Sequence, residues 1–400
     1  MKNVIVVGGG AAGFFAAITC AEKNPDYHIT ILEKSKKLLA KVKVSGGGRC
    51  NVTHACFDVR ELVKFYPRGN KQLIGAFTRF NPIHTIEWFR QRGVELKTEA
   101  DGRMFPATDS SQTIIDCFLR EAKANNINIQ TGIGVEDIFQ RNGKWHLKTT
   151  TGETLSCDAV IMATGSSEKI WSMLAKLGHT IVPPVASLFT FNIKDETLKG
   201  LQGIAVPDAV VSVPSLNLSA SGALLITHWG LSGPAVLKLS AFGAREMAAL
   251  QHHFGITVNW LGSKKSNEAV EAIKYYKEKH PKQQVSANAL FNVPKRLWES
   301  LTAAVQSSSV TYANLSNKQI AQIAELLTSS SFVVKGKSIF KEEFVTAGGI
   351  DLNEVDFKTL QSKKFPALYF AGETLNIDAV TGGFNFQAAW TTGYLAGSSV

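Results

Sequence analysis

The sequence predicts an α/β chain built around a nucleotide-binding sheet, and two features carry that prediction. An apolar strand, "NVIVV" at Asn3–Val7, runs directly into "GGGAAG" and an alanine-rich helical segment, and "HITILEK" then supplies a second strand. The strand–glycine–helix order returns at the other end, where "ALYFAGE" from Ala367 leads through Gly382-Gly383 into the helically spaced "FNFQAAWTTGYLAG". A sheet begun at one end of the chain and completed at the other implies an insertion between them.

The first turn reads Gly8-x-Gly10-x-x-Gly13, with Ala11 and Ala12 opening the helix and Glu33 closing the second strand. Gly8 permits the tight turn, Gly10 lets a pyrophosphate approach the backbone, and Gly13 lets helix and strand pack closely. The helix start presents free N–H groups and a partial positive charge to the phosphates, and Glu33 is spaced to accept hydrogen bonds from a ribose. After Glu33 the chain does not continue with further βα units, as NAD domains normally do. It moves to "KKLLAKVKVSGGGRCNVT". A longer ligand running past the second strand favours FAD. Gly46-Gly47-Gly48 then form a second backbone cradle, with Lys41, Lys43 and Arg49 facing the pyrophosphate or the flavin edge. "CDAVIMATG" ends a buried strand at Thr164-Gly165, and the helix after Gly383 directs its N-terminus at a ligand.

Between these segments, helices are expected at about Leu73 to Phe80, at Pro82 to Gln91 before the stop at Gly93, and at Ser111 to Ala124 capped by Ser110 or Ser111. "GVEDIFQ", "KWHLKTT" and "ETLSC", separated by "RNG" and "TGE", read as an antiparallel meander. Short β-like runs dominate from residue 189, helical Lys/Glu/Gln-rich sequence fills 264 to 328, and β-like runs resume near 331. The expected division is a dinucleotide domain from 1–187 and 335–400, a β-barrel-like insert from 188–262 and 329–334, and a helical subdomain from 263–328.

The 400 residues, 44% hydrophobic and 19% charged, have the composition of an ordinary globule. The apolar run at Val4–Val7 is too short for a signal peptide and no run is long enough to span a membrane, so a cytoplasmic location is expected. Five cysteines without a CxxC pair argue against a disulfide framework or a zinc site. The net charge of +10 raises the question of nucleic acid. The lysines are dispersed, and the densest run, "KKSNEAVEAIKYYKEKHPKQQ", interleaves Glu with Lys, so solubility and a small anionic ligand are preferred over nucleic acid. No membrane association and no obligate protein partner are inferred. No metal motif and no Walker loop occur.

Taken together, "KVKVSGGGRCNVTH", "GRMFPATDSS", "THWGLSGPAVL", "TAGGI" and the terminal "AGE…GGFNFQAAW" resemble a bacterial family of NAD(P)/FAD-dependent oxidoreductases, whose members are described as aminoacetone oxidase-like or bile-acid reductase-like flavoproteins. The chain departs from the family pattern at His54, where Asn is usual, and in the shortened "ATGSSEKIWSMLAKLGH". The resemblance implies a Rossmann-like FAD-binding domain of the two-dinucleotide-binding-domain flavoprotein type, with the β-barrel-like insert and helical subdomain. It implies FAD contacts at Gly8, Gly10, Ala11, Ala12, Gly13, Glu33, Lys34, Lys43, Ser45, Gly46, Gly47, Gly48, Arg49, Val135, Thr164, Gly165, Gly372, Glu373, Gly383, Phe384, Asn385, Phe386 and Gln387.

No catalytic residue is fixed by the sequence; the candidates are His228 as a proton donor, Cys50 as a thiolate beside Arg49, and Asn385. The expected activity is hydride transfer between flavin N5 and a small organic substrate; the insert has no second GxGxxG, so either NAD(P)H visits the pocket as a transient donor or oxygen or a quinone-like acceptor takes the electrons. The alternatives are a flavin-dependent RNA-modifying enzyme and a non-catalytic flavin redox sensor.

Overall fold

The computed structural model describes residues 1–305, 309–338 and 345–400, which fall into two compact units, Met1–Val185 with Lys341–Val400 and Ala186–Phe340. The first unit is built on a seven-stranded sheet. Five of its strands are parallel and lie in the order Leu368–Phe370, Ala159–Met162, Asn3–Val7, His28–Glu33 and Asn128–Thr131. Asn3–Val7 lies at the centre, where strand order reverses, and the crevice at the carboxyl ends of such strands is where this topology takes ligands. Val4 to Val7 are all buried, as strands covered on both faces require.

The helix Ala11–Lys23 follows the glycine turn and packs against the C-terminal helix Phe384–Ser398. Small residues allow the close approach: a Cβ on Gly393 would lie 2.8 Å from the Ala12 carbonyl oxygen, and one on Gly397 would overlap Ala16 O. Around this pair Phe15, Trp88, Phe118 and Trp390 stack at centroid distances of 4.6 to 6.3 Å. The first and last segments of the chain are thereby joined in one aromatic core.

The helix expected at Ser111–Ala124 is found there, with the Ser110 hydroxyl accepting from Gln112 N–H. Pro82–Arg90 is capped by Asn81. The helix expected at Leu73 to Phe80 runs instead over Asn70–Phe77, because Gly69 in the left-handed region opens it a turn earlier. The meander forms as Val135–Arg141, Lys144–Thr149 and Thr154–Cys157.

The second unit contains a seven-stranded antiparallel sheet and the helices Ser266–Lys279, Lys295–Ala303 and Asn317–Thr328. Helix Pro234–Phe242 starts from Gly233 at φ 97°, directly after the strand Gly230–Ser232.

Candidate functional site

The glycine turns of the first unit each have a separable physical job. A Cβ on Gly13 would overlap the Gly8 carbonyl oxygen, so this glycine is required for strand and helix to meet. Gly8 sits at φ 114° against Ala163. Gly10 has extended dihedrals and no heavy atom within 4 Å of a Cβ position, so it faces open space at the helix start. Gly8 and Gly13 thus serve the turn and the helix packing, and Gly10 leaves space at the helix start.

The second cradle is equally specific. Gly46, Gly47 and Gly48 follow one another at φ 56°, 67° and 87°, a run that side chains disfavour; Arg49 returns to the right-handed region at φ −92° and Cys50 lies at φ 61°. Cβ positions on Gly47 and Gly48 meet nothing within 4 Å. Consecutive left-handed residues turn successive N–H groups to one side, which suits an anion. Ser45, at the head of the cradle, donates its hydroxyl to Val42 O (2.9 Å).

Glu33 accepts from Gly9 N–H at 2.8 Å and from Ser35 N–H at 2.9 Å, one bond to each oxygen. Each oxygen keeps a lone pair for a ribose hydroxyl. Beside it a cavity of ≈ 120 Å³ is lined by Gly8, Glu33, Lys34, Val135 and Thr164, all expected, and by Gly134, Thr150 and Lys169, which no motif announced. The meander is what brings Val135 and Thr150 here. Thr164 N–H donates to Thr374 Oγ1 (3.1 Å), and Gly372 N–H donates to Thr392 Oγ1 (2.9 Å), fixing the two later strand ends. Glu373 lies near Gly165 and is paired with Lys41 at 2.6 Å.

The cations of this segment each have a protein partner that the sequence did not announce. Arg49 pairs with Glu99 at 2.6 Å and stacks over the Phe105 ring at 4.0 Å. Lys43 donates to Gln112 and Lys41 to Glu373. The anion-binding potential of this segment therefore rests on main-chain N–H groups. The low-pKa thiol considered for Cys50 is not supported either: the side chain is fully buried, and burial pushes the thiol up to about 12.

The C-terminal cluster contributes backbone and support. Asn385 accepts from Ala379 N–H (2.9 Å) and donates to Ala379 O (3.1 Å), clamping the loop before Gly382. Gln387 is buried, its Oε1 accepting from Thr53 and Thr85. Phe386 stacks on Trp390, and Phe384 stacks on both His54 (4.6 Å) and Phe65 (4.2 Å), which also meet each other at 5.9 Å. The Arg68–Asp378 ion pair, with Asp378 fully buried, holds the same loop and was not foreseen. His228 is exposed beside Trp229 on a tight turn of the second unit, where Thr227 N–H donates to Gly230 O.

Elsewhere, Ser362, His179 and Glu354 line up at 3.2 and 2.8 Å, in the geometry of a hydrolytic triad. Ser362 Oγ is buried and accepts from Lys364 and Phe365 N–H groups, so the array is an internal clamp.

Residues 2–399 match the family described as HI0933-like protein Rossmann domain. The chain belongs to this family. It is thereby placed among the FAD-dependent oxidoreductases built on the Rossmann fold, the class that its glycine turns indicate. It is 27% identical over 98% of its length to an Escherichia coli protein named ribosomal RNA dihydrouridine synthase, covering 96% of that protein. It is 25% identical over 99% of its length to a Clostridium scindens 3-dehydro-bile acid delta(4,6)-reductase, covering 98% of it. A quinol–fumarate reductase structure with menaquinol shares the fold at a TM-score of 0.50 and 14% identity, over 99% of this chain and 70% of that one. Among the described residues no helix is long and apolar enough to cross a membrane, and no cluster of His, Cys, Asp and Glu is arranged to hold a metal.

Proposed function

We propose that this protein reduces a carbon–carbon double bond conjugated to a carbonyl, with FAD as the resident cofactor and NAD(P)H as the transient reductant. The observation that carries the cofactor assignment is the paired cradle: Gly10, Gly47 and Gly48 leave open space where side chains would stand, beside the buried-strand acid Glu33. Those residues fit a dinucleotide. Main-chain N–H groups at the start of Ala11–Lys23 and at Gly46–Gly48 would hold the diphosphate, and Glu33 a ribose. The N-terminus of Phe384–Ser398 would favour negative charge on the ring edge it faces. Bound there, FAD supplies hydride chemistry at N5.

The acceptor class is supported by what two relatives' names share. A dihydrouridine synthase saturates the double bond of a uracil ring, and a delta(4,6)-reductase saturates bonds conjugated to a steroid ketone. The reading is tested by anaerobic reduction of the holoprotein with NADPH or NADH, followed by mixing with a conjugated dienone or a uridine-containing RNA. Reoxidation of the flavin band matched by saturated product supports it; reoxidation by oxygen alone overturns it.

A second reading narrows the acceptor to uridine within RNA. The Escherichia coli relative and the net charge of +10 favour it over a free small molecule. A cytoplasmic location accords with either substrate.

A further inference from the structure

Between Lys264 and Lys318 the sequence places nine Lys/Arg against four Asp/Glu, and the structure shows where that excess gathers. Helix Ser266–Lys279 ends in Lys277, Lys279, His280 and Lys282, and the last three are exposed. The segment is fastened to the turn Tyr312–Asn314 that precedes helix Asn317–Thr328: Ala313 N–H donates to Pro281 O and Tyr312 N–H to Gln283 O, each at 2.9 Å. Lys277 Nζ donates to Leu315 O at 2.6 Å, which fixes the corner from within. Exposed Lys318 lies three residues beyond Leu315, in the first turn of Asn317–Thr328.

The charges on this corner differ from the paired lysines elsewhere in the unit. Lys274 is neutralised by Glu271 (3.0 Å) and Lys199 by Glu196 (3.1 Å). Among the described residues Lys279, Lys282 and Lys318 have no carboxylate partner, and Glu278 is the acid of the same helix end. Tyr275, 63% exposed, stands one turn before Lys279, whose ammonium lies 5.7 Å from its ring. The exposed ring leaves a flat apolar face beside these cations, open to stacking. Cations spaced along a rigid edge with an exposed ring are the features that grip a phosphate backbone and an unpaired base.

We propose that the corner formed by Tyr275, Lys279, Lys282 and Lys318 is a docking surface for structured RNA, its lysines on phosphates and Tyr275 under an unstacked base. The inference rests on the RNA reading of the acceptor and adds to it the surface that would hold the polymer. Interleaved Glu and Lys made the sequence of this helix look like a plain solvated face; the fold separates its paired from its unpaired lysines.

The test uses the FAD-loaded full chain and fluorescently labelled, deproteinised ribosomal RNA, titrated across a salt series. Each phosphate contact contributes roughly 0.7 to 0.9 to the slope of log K against log salt. The triple variant K279Q/K282Q/K318Q is expected to lower that slope by about 2 to 3 and to weaken binding about 100-fold near 0.1 M salt. Tyr275→Ala should weaken binding without changing the slope, and the control K199Q/K274Q should change neither. The flavin spectrum and turnover of a free dienone should be unaltered in all. Wild-type affinity in the triple variant overturns the surface while leaving the RNA reading intact. No RNA binding by the wild-type chain overturns both, and the dienone assay then reports separately on conjugated-bond reduction. Equal binding to heparin at matched charge would reduce the corner to a general polyanion surface and overturn the assignment.

Discussion

Replacing Gly13 by alanine separates the architectural glycine from the ligand-facing one. Its new methyl group would fall well inside 3.0 Å of the Gly8 carbonyl oxygen, so helix Ala11–Lys23 must retreat from the turn by on the order of 1 Å. Retreat is blocked from behind. Gly393 and Gly397 of the C-terminal helix already bring that helix against Ala12 and Ala16, and Phe15 sits within the aromatic core. Overpacking with no room to relax costs about 3 kcal/mol. In a unit of this size that corresponds to a fall in Tm of roughly 6–12 °C, measured on the cofactor-free protein by circular dichroism. Gly10→Ala is the matched control, because its methyl group meets no protein atom and its dihedrals suit alanine. It should leave the cofactor-free Tm within about 2 °C of wild type and weaken FAD binding about 10-fold, or about 1.4 kcal/mol, by fluorescence titration. A Gly13→Ala protein with wild-type Tm, or a Gly10→Ala protein with wild-type FAD affinity, would refute this reasoning.

Other outcomes follow from buried polar groups. Arg68→Ala removes the cation from the fully buried Asp378 carboxylate and should destabilise the chain by about 3–5 kcal/mol in urea titrations, whereas replacing both residues with apolar ones should cost less. Burial holds His179 and His54 below the ordinary value of 6.5, so the folded protein resists taking up protons that the unfolded chain accepts. Stability should therefore fall as pH drops below about 6.5, seen as a declining Tm, and a chain with His179→Gln should lose less over that interval. Glu354 suffers a burial penalty that hydrogen bonds from Lys364, Thr180 and His179 outweigh, leaving it at about 2. Its contribution should persist to lower pH and disappear between about pH 4.5 and 2. Cys50→Ser should retain flavin reduction, and in the native chain iodoacetamide should label half-buried Cys56 before buried Cys50; loss of reduction in Cys50→Ser would restore the redox-thiol role.

The readable parts of this fold were those whose cause is local. Ser110 capping Ser111–Ala124 and the three glycines of the first turn announce themselves because a cap, a left-handed residue and a helix start involve neighbours in sequence. What escaped depends on partners far along the chain. Arg49 looked free for a phosphate until Glu99 and Phe105 were folded beside it. Gln387 is expected as a ligand contact, and its side-chain oxygen accepts from Thr53 and Thr85, residues more than 300 positions away. Asn385 and Asp378 support the loop before Gly382 through partners that no local pattern announces. Thr150 and Lys169 reach the cavity beside Glu33 through a meander and a helix that no motif marks as functional.

The most direct measurement is a single anaerobic experiment on the purified chain loaded with FAD and reduced by NADPH or NADH. Mixed with a conjugated dienone or with uridine-containing RNA, the reduced protein should regain its oxidised flavin band, with one saturated double bond formed per flavin by mass spectrometry. A chain that holds FAD yet stays reduced with every conjugated acceptor, and gives up its electrons only to oxygen, would contradict the account.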